Sequence, residues 1–363
     1  MMNTLEQEKH ELYRRLQVAL AIELSTIPVY MTSLISIKPG RNRVAANIIR
    51  SVMMEEMLHL SLAGNLLSAI GGRVQFDADT LPAFPLLLKF DGKGFKDREF
   101  EVDLGPFSEK NIAIFTEIEL PDGWRERRML PMAVPELDVP GYTIGAFYDA
   151  ILQSLTALCT AHGQAAVFTG NPAHQLNWNF YWAGGGRPVI ITDLASAKEA
   201  IEIIVTQGEG ARHSMYDDDH HYFGQPESIA HFFRFREIQF GRHYQRGDNP
   251  RQPPTGEPFE VDYNEAYPIK VNAKATDYAG DPAMARLNNT FNSLYSLMLY
   301  QIAEALNGAT GAMYTAILNS MHDMTAIALQ MVATPIANDP SGRHGAPSFE
   351  WVSPTPGQTG DTP

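Results

Sequence analysis

The stretch Glu55-Glu56-Met57-Leu58-His59-Leu60 decides the fold class of this chain of 363 residues. Glu56 and His59 lie three residues apart, and this spacing places both side chains on one face of a helix. A carboxylate and an imidazole are costly on an apolar face unless a partner satisfies them, and a metal ion is the usual partner. The stretch therefore predicts half of the two-metal motif found in helical bundles. The apolar residues that share this face are Ile49, Val52, Ala63, Leu66 and Ile70.

The composition is that of an ordinary globular protein with a large core. Hydrophobic residues make up 44% of the chain and charged residues 19%, with a formal net charge of −14. This charge argues against nucleic acid or an anionic membrane surface as a partner. The polar first 17 residues indicate no secretory signal, and we expect no apolar run long enough to span a membrane. The single cysteine, Cys159, excludes an intramolecular disulfide, so the sequence predicts a cytoplasmic protein.

Helical periodicity alternates with irregular segments along the chain. It predicts long helices over residues 5–34, 42–70, 144–168, 193–207, 227–244, 282–306 and 311–332. Pro28 should kink the first helix or end its regular part. Strand-like runs at 99–104, 112–120, 177–182 and 188–191 predict β-containing insertions at about 71–141 and 171–192.

These elements predict a mainly α protein, a helical bundle with β-containing insertions and additional C-terminal helices. The bundle with its insertions would occupy residues 1–245, and a helical extension residues 246–333. Residues 334–363 form a Pro/Gly-rich tail that is either mobile or packed as coil.

Two more acids are candidate metal ligands because of their surroundings. Glu23 is the only charged residue between Arg15 and Lys38, so it is either a ligand or a buried acid bonded to a tyrosine or the backbone. Glu209 has a glycine on each side, which allows close approach of the backbone. Its alternative is a solvated helix end, and Glu202, seven residues earlier on the same face, is a weaker candidate.

A further helix should supply the last imidazole. His231 precedes a strongly aromatic run, and Glu227 lies four residues before it, on the same face of a helix. Both are candidate ligands. Glu55 is one step off the apolar stripe and is either solvated or a support for the ligands. The loop Asp217-Asp218-Asp219-His220-His221 is either a solvated loop or a separate cation site.

Together these motifs resemble the ferritin-like domain of the iminophenyl-pyruvate dimer synthase type. The resemblance covers about residues 5–245 and implies a ferritin-like helical bundle. It also implies that the family's metal positions fall on Glu23, Glu56, His59, Glu209 and His231. The segments that carry it are residues 22–28, 55–60, 65–72, 207–210 and 231–235.

The resemblance implies a non-haem, metal-dependent oxidoreductase of natural-product biosynthesis. Its better-known members are longer chains that couple two imines derived from aromatic amino acids. Here we expect iron, as one or two ions, with manganese as the alternative. The expected partners are a small, aromatic amino-acid-derived substrate and dioxygen or peroxide. The sequence leaves the oligomeric state open between a monomer and a homo-oligomer. Two rival functions are iron binding or storage and metal-free binding by a bundle that lost its site.

Two groups of residues outside the metal motif also invite a functional interpretation. Arg125, Arg127 and Arg128 would either attract a substrate carboxylate or form a surface patch. The methionines of the C-terminal helices predict core packing or a dimer face, with a cofactor site as the alternative. These methionines are Met284, Met298, Met313, Met321, Met324 and Met331.

Overall fold

Two long antiparallel helices, joined by a short turn, form the centre of the molecule. The computed structural model describes residues 4–90, 98–121, 124, 136–139, 143–181, 184–211 and 214–353. Helices α1 (Thr4–Ser36) and α2 (Arg43–Ala69) pack along each other. Helix α1 continues through Pro28, so the predicted end of regular helix there was wrong. Thr32 donates a hydrogen bond to the Pro28 carbonyl.

Six further helices surround this pair. Ser108, Thr143 and Asp193 each accept a hydrogen bond from the first helical turn that follows, which fixes where three of them begin. Gly163, at φ +81°, ends the helix that begins at Ile144, which was predicted to continue to residue 168. The helices are α3 (Glu109–Ile118), α4 (Ile144–His162), the short α5 (Gln164–Val167), α6 (Leu194–Glu209), the short α7 (Asp219–Phe223) and α8 (His231–Phe240).

The C-terminal helices pack directly on this bundle. They are α9 (Pro282–Leu306), α10 (Ala312–Thr315), a π-helical segment (Ala316–Met321) and α11 (His322–Ala333). Short 3₁₀ turns lie at Pro172–His174, Tyr263–Glu265 and Ala275–Tyr278. Gly64 of α2 allows close contact, because a Cβ atom there would lie 2.5 Å from the Leu306 side chain. The division at residues 245 and 333 stays a prediction.

The chain after α11 is packed as coil over its described residues, 334–353. The amides of Asn288 and Asn292 both donate to the buried Ser348 hydroxyl, at 2.9 Å each. Tyr278 donates to the Ala346 carbonyl at 2.6 Å. These bonds hold the segment against α9, in agreement with one of the two predicted states of the tail.

One small sheet lies in the first insertion. Its strands are β1 (Leu86–Phe90), β2 (Arg98–Val102) and β3 (Glu136–Val139), in the order β2-β1-β3. Strand β1 pairs antiparallel with β2, Leu86 opposite Val102, and parallel with β3, Leu87 opposite Glu136. The mainly α bundle with a β-containing insertion and extra C-terminal helices is thereby confirmed.

Three local predictions were wrong. Residues 112–120 were predicted as a strand, but most of them belong to α3. The described residues of 177–182 and 188–191 form no strand. The helix predicted over 227–244 begins only at His231 and ends at Phe240.

Two helices also qualify as candidate membrane spans by length and hydropathy, contrary to our expectation. They are α1, with a mean hydropathy of 1.6, and α4, with 1.2. Inside the protein, 78% of the apolar window of α1 is buried, against 33% for α4. Buried core helices pass the same test, so neither helix is clear evidence of a membrane span.

Candidate metal centre

Acidic and imidazole side chains from five helices meet in one cluster between α1, α2, α3, α6 and α8. Five of its six members are 5% exposed or less, and Glu209 is half-buried. A cavity of about 20 Å³, enough for about one water-sized sphere, is lined by five of them, all except His231. The members are Glu23 of α1, Glu56 and His59 of α2, Glu119 directly after α3, Glu209 at the end of α6, and His231 at the start of α8.

Glu56 lies between the two imidazoles of the cluster. Its Oε1 is 2.9 Å from Nδ1 of His231, and its Oε2 is 3.8 Å from Nδ1 of His59. The two rings are stacked, with centroids 5.4 Å apart. One carboxylate thus presents one oxygen to each imidazole, as a bridging metal ligand would.

On one side of Glu56, hydrogen bonds fix the orientation of His59. The Gln207 amide nitrogen donates to Asp219 and to the Gly185 carbonyl, both at 2.8 Å. The Gln207 oxygen must therefore face Nε2 of His59, at 3.0 Å, which makes that nitrogen the donor. In the neutral ring, Nδ1 then carries its lone pair toward Glu23, 3.7 Å away, and Glu56.

On the other side, His231 is oriented in the same way. Its Nε2 lies 2.8 Å from Oε2 of Glu55, and the other Glu55 oxygen accepts from Arg234 at 2.9 Å. Asp217 lies 3.5 Å from Arg234 and completes this buried charged chain. Nδ1 of His231 is left facing the cluster, 3.5 Å from Glu119.

Two buried tyrosines hold the outer carboxylates. Tyr148 donates to Oε1 of Glu23, and Tyr30 donates to Oε1 of Glu119, each at 2.6 Å. In both carboxylates the second oxygen is the one that faces an imidazole. The two halves of the cluster therefore have equivalent parts, a tyrosine-held carboxylate and a histidine, with Glu56 between them.

The residues present fit a metal ion. Nδ1 of His231 is buried and makes no well-formed hydrogen bond with any described residue, although Glu56 is close. Its lone pair is therefore directed at the shared space rather than at a protein donor. Donor atoms of Glu56, His59 and His231 all lie within 4.8 Å of one another. Carboxylate oxygen and imidazole nitrogen are ligands that iron, manganese and zinc accept.

Without a metal, protons take its place on the imidazoles. Burial lowers the pKa of His59, but the nearby Glu23 and Glu56 outweigh burial and raise it to about 10. Burial likewise opposes the charged form of His231, yet Glu119 and the other carboxylates hold its pKa well above the usual value. Burial would raise the pKa of Glu56, but the two imidazoles beside it favour its charged form and lower the pKa. Burial raises the pKa of Glu23 to about 7, with His59 opposing the rise.

Glu209 lies at the boundary between the cluster and a large cleft. The Gly145 N–H, in the first turn of α4, donates to Oε1 of Glu209 at 2.8 Å. A Cβ atom on Gly145 would lie 2.5 Å from that oxygen, so only glycine fits there without a shift. Glu209 lines both the 20 Å³ cavity and a cleft of about 1240 Å³. This carboxylate is therefore the point at which the cluster meets the surface.

The structure brings together five of the six sequence candidates, namely Glu23, Glu56, His59, Glu209 and His231. Glu227 is the exception, because it is exposed and lies outside the cluster. The four-residue helical spacing does not apply to it, since α8 begins only at His231.

Several other candidates from the sequence are not members of this cluster. Asp217 and Asp219 are buried rather than solvated, and they bond Arg234 and Gln207. Glu202 is bonded to Lys198 and Tyr222 at the cleft. Arg125, Arg127 and Arg128 lie outside the described residues.

Glu119 is the cluster member that sequence reasoning missed. Residues 112–120 alternate β-branched and other residues, which favours a strand interpretation. A helical signal was also present, because Ser108 can cap a helix and Ile112, Phe115 and Glu119 follow helical spacing. An acid on that stripe is the same signal that identified Glu23.

Comparisons with known proteins agree with this architecture. The ferritin-like family model matches residues 16–240, a segment that contains the whole cluster. The crystal structure of a ferritin-like protein from Caulobacter vibrioides is similar to this chain, with a TM-score of 0.57 and 24% sequence identity. The match covers 88% of this chain and 93% of that one and shows a shared fold. No curated protein matches the chain.

Proposed function

Since this chain belongs to the ferritin-like family, we propose that it is a metal-dependent oxidoreductase, with iron as its metal. One observation carries the proposal. Nδ1 atoms of two buried imidazoles face the two oxygens of Glu56, and both Nε2 atoms are held by acceptors on the far side. Burying four carboxylates and two imidazoles is costly unless they bind a partner, so this arrangement argues against a bundle that has lost its metal site.

The paired arrangement favours two ions over one. Glu23 and His59 would hold one ion, Glu119 and His231 the other, and Glu56 would be shared. When bound, iron would supply the activation of dioxygen or peroxide, and manganese accepts the same ligands. Tyr148 and Tyr30 would keep the outer carboxylates in place through their 2.6 Å hydrogen bonds.

The residues that line the large cleft favour a small organic substrate derived from an aromatic amino acid. Trp124 and Phe233 offer aromatic surface, and Arg251 offers positive charge for a carboxylate. The Arg251 guanidinium lies 5.0 Å from the centre of the Trp124 ring. At about 1240 Å³ the cleft exceeds the roughly 300–1,000 Å³ of a typical small-molecule site. This volume favours coupling of two molecules, as in the iminophenyl-pyruvate dimer synthase type.

The proposal is tested by loading the purified chain with Fe(II) without oxygen and measuring bound metal. We expect about two ions per chain. Oxygen is then added with and without an aromatic 2-imino acid, generated in situ from the amino acid by an oxidase. Because the oxidase itself reduces oxygen to peroxide, we expect oxygen consumption above that of a control with the oxidase and amino acid alone, and a coupled or oxidised product in the mass spectrum. A size measurement on the same sample tests the proposed homo-oligomer.

Arg251→Met, with Arg246→Met as its matched control, tests the cleft. Arg246 is exposed and does not line the cleft, so its substitution should leave activity unchanged. We expect Arg251→Met to raise KM more than it lowers kcat. Substrate-independent oxidation of many irons per chain would instead indicate storage. A chain that takes up no metal would indicate a binding protein.

A further inference from the structure

A second cavity lies beside a different face of α1 and α2 from the metal cluster. Its volume is about 100 Å³. Leu24 of α1 and Met57 and Leu60 of α2 line it, next in sequence to Glu23, Glu56 and His59, and Met31 of α1 lines it as well. Helices α9, α10 and α11, the π-helical segment and Phe349 of the tail close the other sides. None of the cluster residues lines it.

The lining is apolar and contains an unusual number of methionines. Seven of the 15 methionines of the chain contribute to it. No acid, lysine, arginine or histidine is among its described lining residues, so nothing there would balance a cation. These methionines are Met31, Met53, Met57, Met298, Met313, Met321 and Met324.

Three of the four polar side chains in the described lining, Ser61, Thr325 and Tyr181, have hydrogen-bond partners of their own, and the fourth, Tyr295, contributes a single hydroxyl. Ser61 donates to the Met57 carbonyl at 2.9 Å, and Thr325 donates to the Met321 carbonyl at 2.7 Å. The Tyr181 hydroxyl lies 3.2 Å from the carbonyl of Met54 and equally far from that of Gly184. A water molecule needs two or more free polar partners, so this cavity favours an apolar occupant.

Residues of the π-helical segment line one side of the cavity. Ile317 and Met321 of this segment are half-buried, and Thr325 on the next turn is exposed. π-Helical turns are rare and occur frequently at functional sites.

We infer that this methionine-lined cavity is a binding site for a small apolar molecule, of the size of a single aromatic ring or a short alkyl chain. Dry apolar cavities of about 150 Å³ bind benzene. Unbranched thioether side chains can shift to enlarge a smaller space and make favourable contacts with ring edges. The inference is independent of the proposed function, since it uses no residue of the metal cluster.

The test is an NMR titration of the full-length protein, labelled with ¹³C at the methionine methyl groups, with benzene. Single Met→Leu substitutions assign the signals. We expect saturable shifts in the seven lining methyls, while Met215, Met284 and Met331, which do not line the cavity, serve as internal controls. Absence of saturable shifts, or equal shifts in the control methyls, would overturn the inference.

A space-filling variant adds a second test. Leu60→Phe places extra volume in the cavity and should weaken benzene binding at least about tenfold. Leu329→Phe is its matched control, since Leu329 is 49% exposed and does not line the cavity. Unchanged benzene affinity in a folded Leu60→Phe protein would place the ligand elsewhere. The titration of the unsubstituted protein stays decisive if that variant fails to fold.

Discussion

The α1–α2 pair presents one tightly bonded polar face and one adaptable apolar face. On the polar face, Glu23 and His59 are each bonded to a named partner outside the cluster. On the apolar face, Met31 and Met57 border an open space and have several rotatable bonds each. One helix pair can therefore hold the side chains of one site in fixed positions, as metal chemistry requires, and also border a second site that adapts to its occupant.

The polar face also carries an excess of negative charge. Glu23, Glu55, Glu56 and Glu119 are buried there, and Arg234 is the fixed cation among them. With both imidazoles protonated and all four carboxylates ionised, these carboxylates outnumber the three cations by one. A bound metal ion would remove this excess, which is the reason to expect the largest effects on this face.

The largest expected effect comes from removing the shared carboxylate. Glu56→Ala should abolish stoichiometric metal binding, because both imidazoles lose the oxygen between them and the two halves lose their common ligand. Metal analysis of the loaded protein, with circular dichroism to verify the fold, measures this. Met57→Leu, the next residue but on the apolar face, should keep full metal content. Full occupancy in folded Glu56→Ala protein would remove Glu56 from the site.

A smaller loss is expected from the residue that orients His231. In Glu55→Gln the bond to Nε2 is weakened and the Arg234 charge loses the nearer of its two carboxylate partners. Groups that orient metal-bound histidines typically contribute about 10–100-fold to affinity. We expect a loss in that range by competition with a chelator, and a changed ¹⁵N signature of the His231 ring.

Glu227→Gln is the matched control for Glu55→Gln, because Glu227 is exposed and outside the cluster. Its metal affinity should equal that of the unsubstituted protein. If both variants lose affinity alike, the buried chain from Glu55 to Arg234 does not position His231.

Metal binding should release protons, which distinguishes the polar face from an apolar one. The pKa of His59 is raised to about 10 in the metal-free fold, and that of His231 is also raised, so both are charged at pH 7. Both must lose a proton to bind metal, as must any protonated Glu23, whose pKa is raised to about 7, so we expect at least two protons released per chain. Calorimetry in buffers of different ionisation enthalpy counts them, and affinity should increase with pH up to about 10.

The same shift sets the pH dependence of the metal-free fold. Because the folded pKa of His59 lies above its usual 6.5, its charged form stabilises the fold fully below about pH 6.5. This contribution disappears as the pH rises through about 10. Benzene binding at the methionine-lined cavity should not change over this range.

The sequence predicted the cluster where its geometry is local. Glu56 and His59 lie three residues apart on one unbroken helix, and Glu23 is a lone charge in an apolar stretch. Those signals need no knowledge of the tertiary structure. The second helix predicted over 42–70 agrees with the observed bounds to within a residue at each end.

The errors occurred where tertiary contacts decide where a helix begins. Asp217 accepts a hydrogen bond from the Ser228 backbone at 2.9 Å, and Tyr216 pairs with Ile229 in a β-bridge. These bonds keep the segment before His231 out of the helix, so Glu227 lies away from the cluster. Nothing in the local periodicity of residues 227–244 indicates this.

Glu119 was missed for a related reason. The β-branched residues of 112–118 favour a strand locally, but packing of α3 on α8 favours the helix. Phe115 lies against Tyr30 and Phe235, with ring centroids 4.7 and 5.2 Å away. The residue that completes the second half of the cluster thus depends on contacts between distant parts of the chain.

The smallest expected effect is at the boundary of the polar face. Gly145→Ala places a methyl group where the Glu209 carboxylate now lies, 2.5 Å from its oxygen. Alanine favours a helix over glycine by up to about 1 kcal/mol, so we expect little loss of stability. The displaced carboxylate should change the rate of metal uptake several-fold while the final metal content stays the same. Stopped-flow uptake measures this, with Gly280→Ala as control because a Cβ there meets no atom within 4 Å. Equal uptake rates in the two variants would show that Glu209 does not lie on the path by which metal enters.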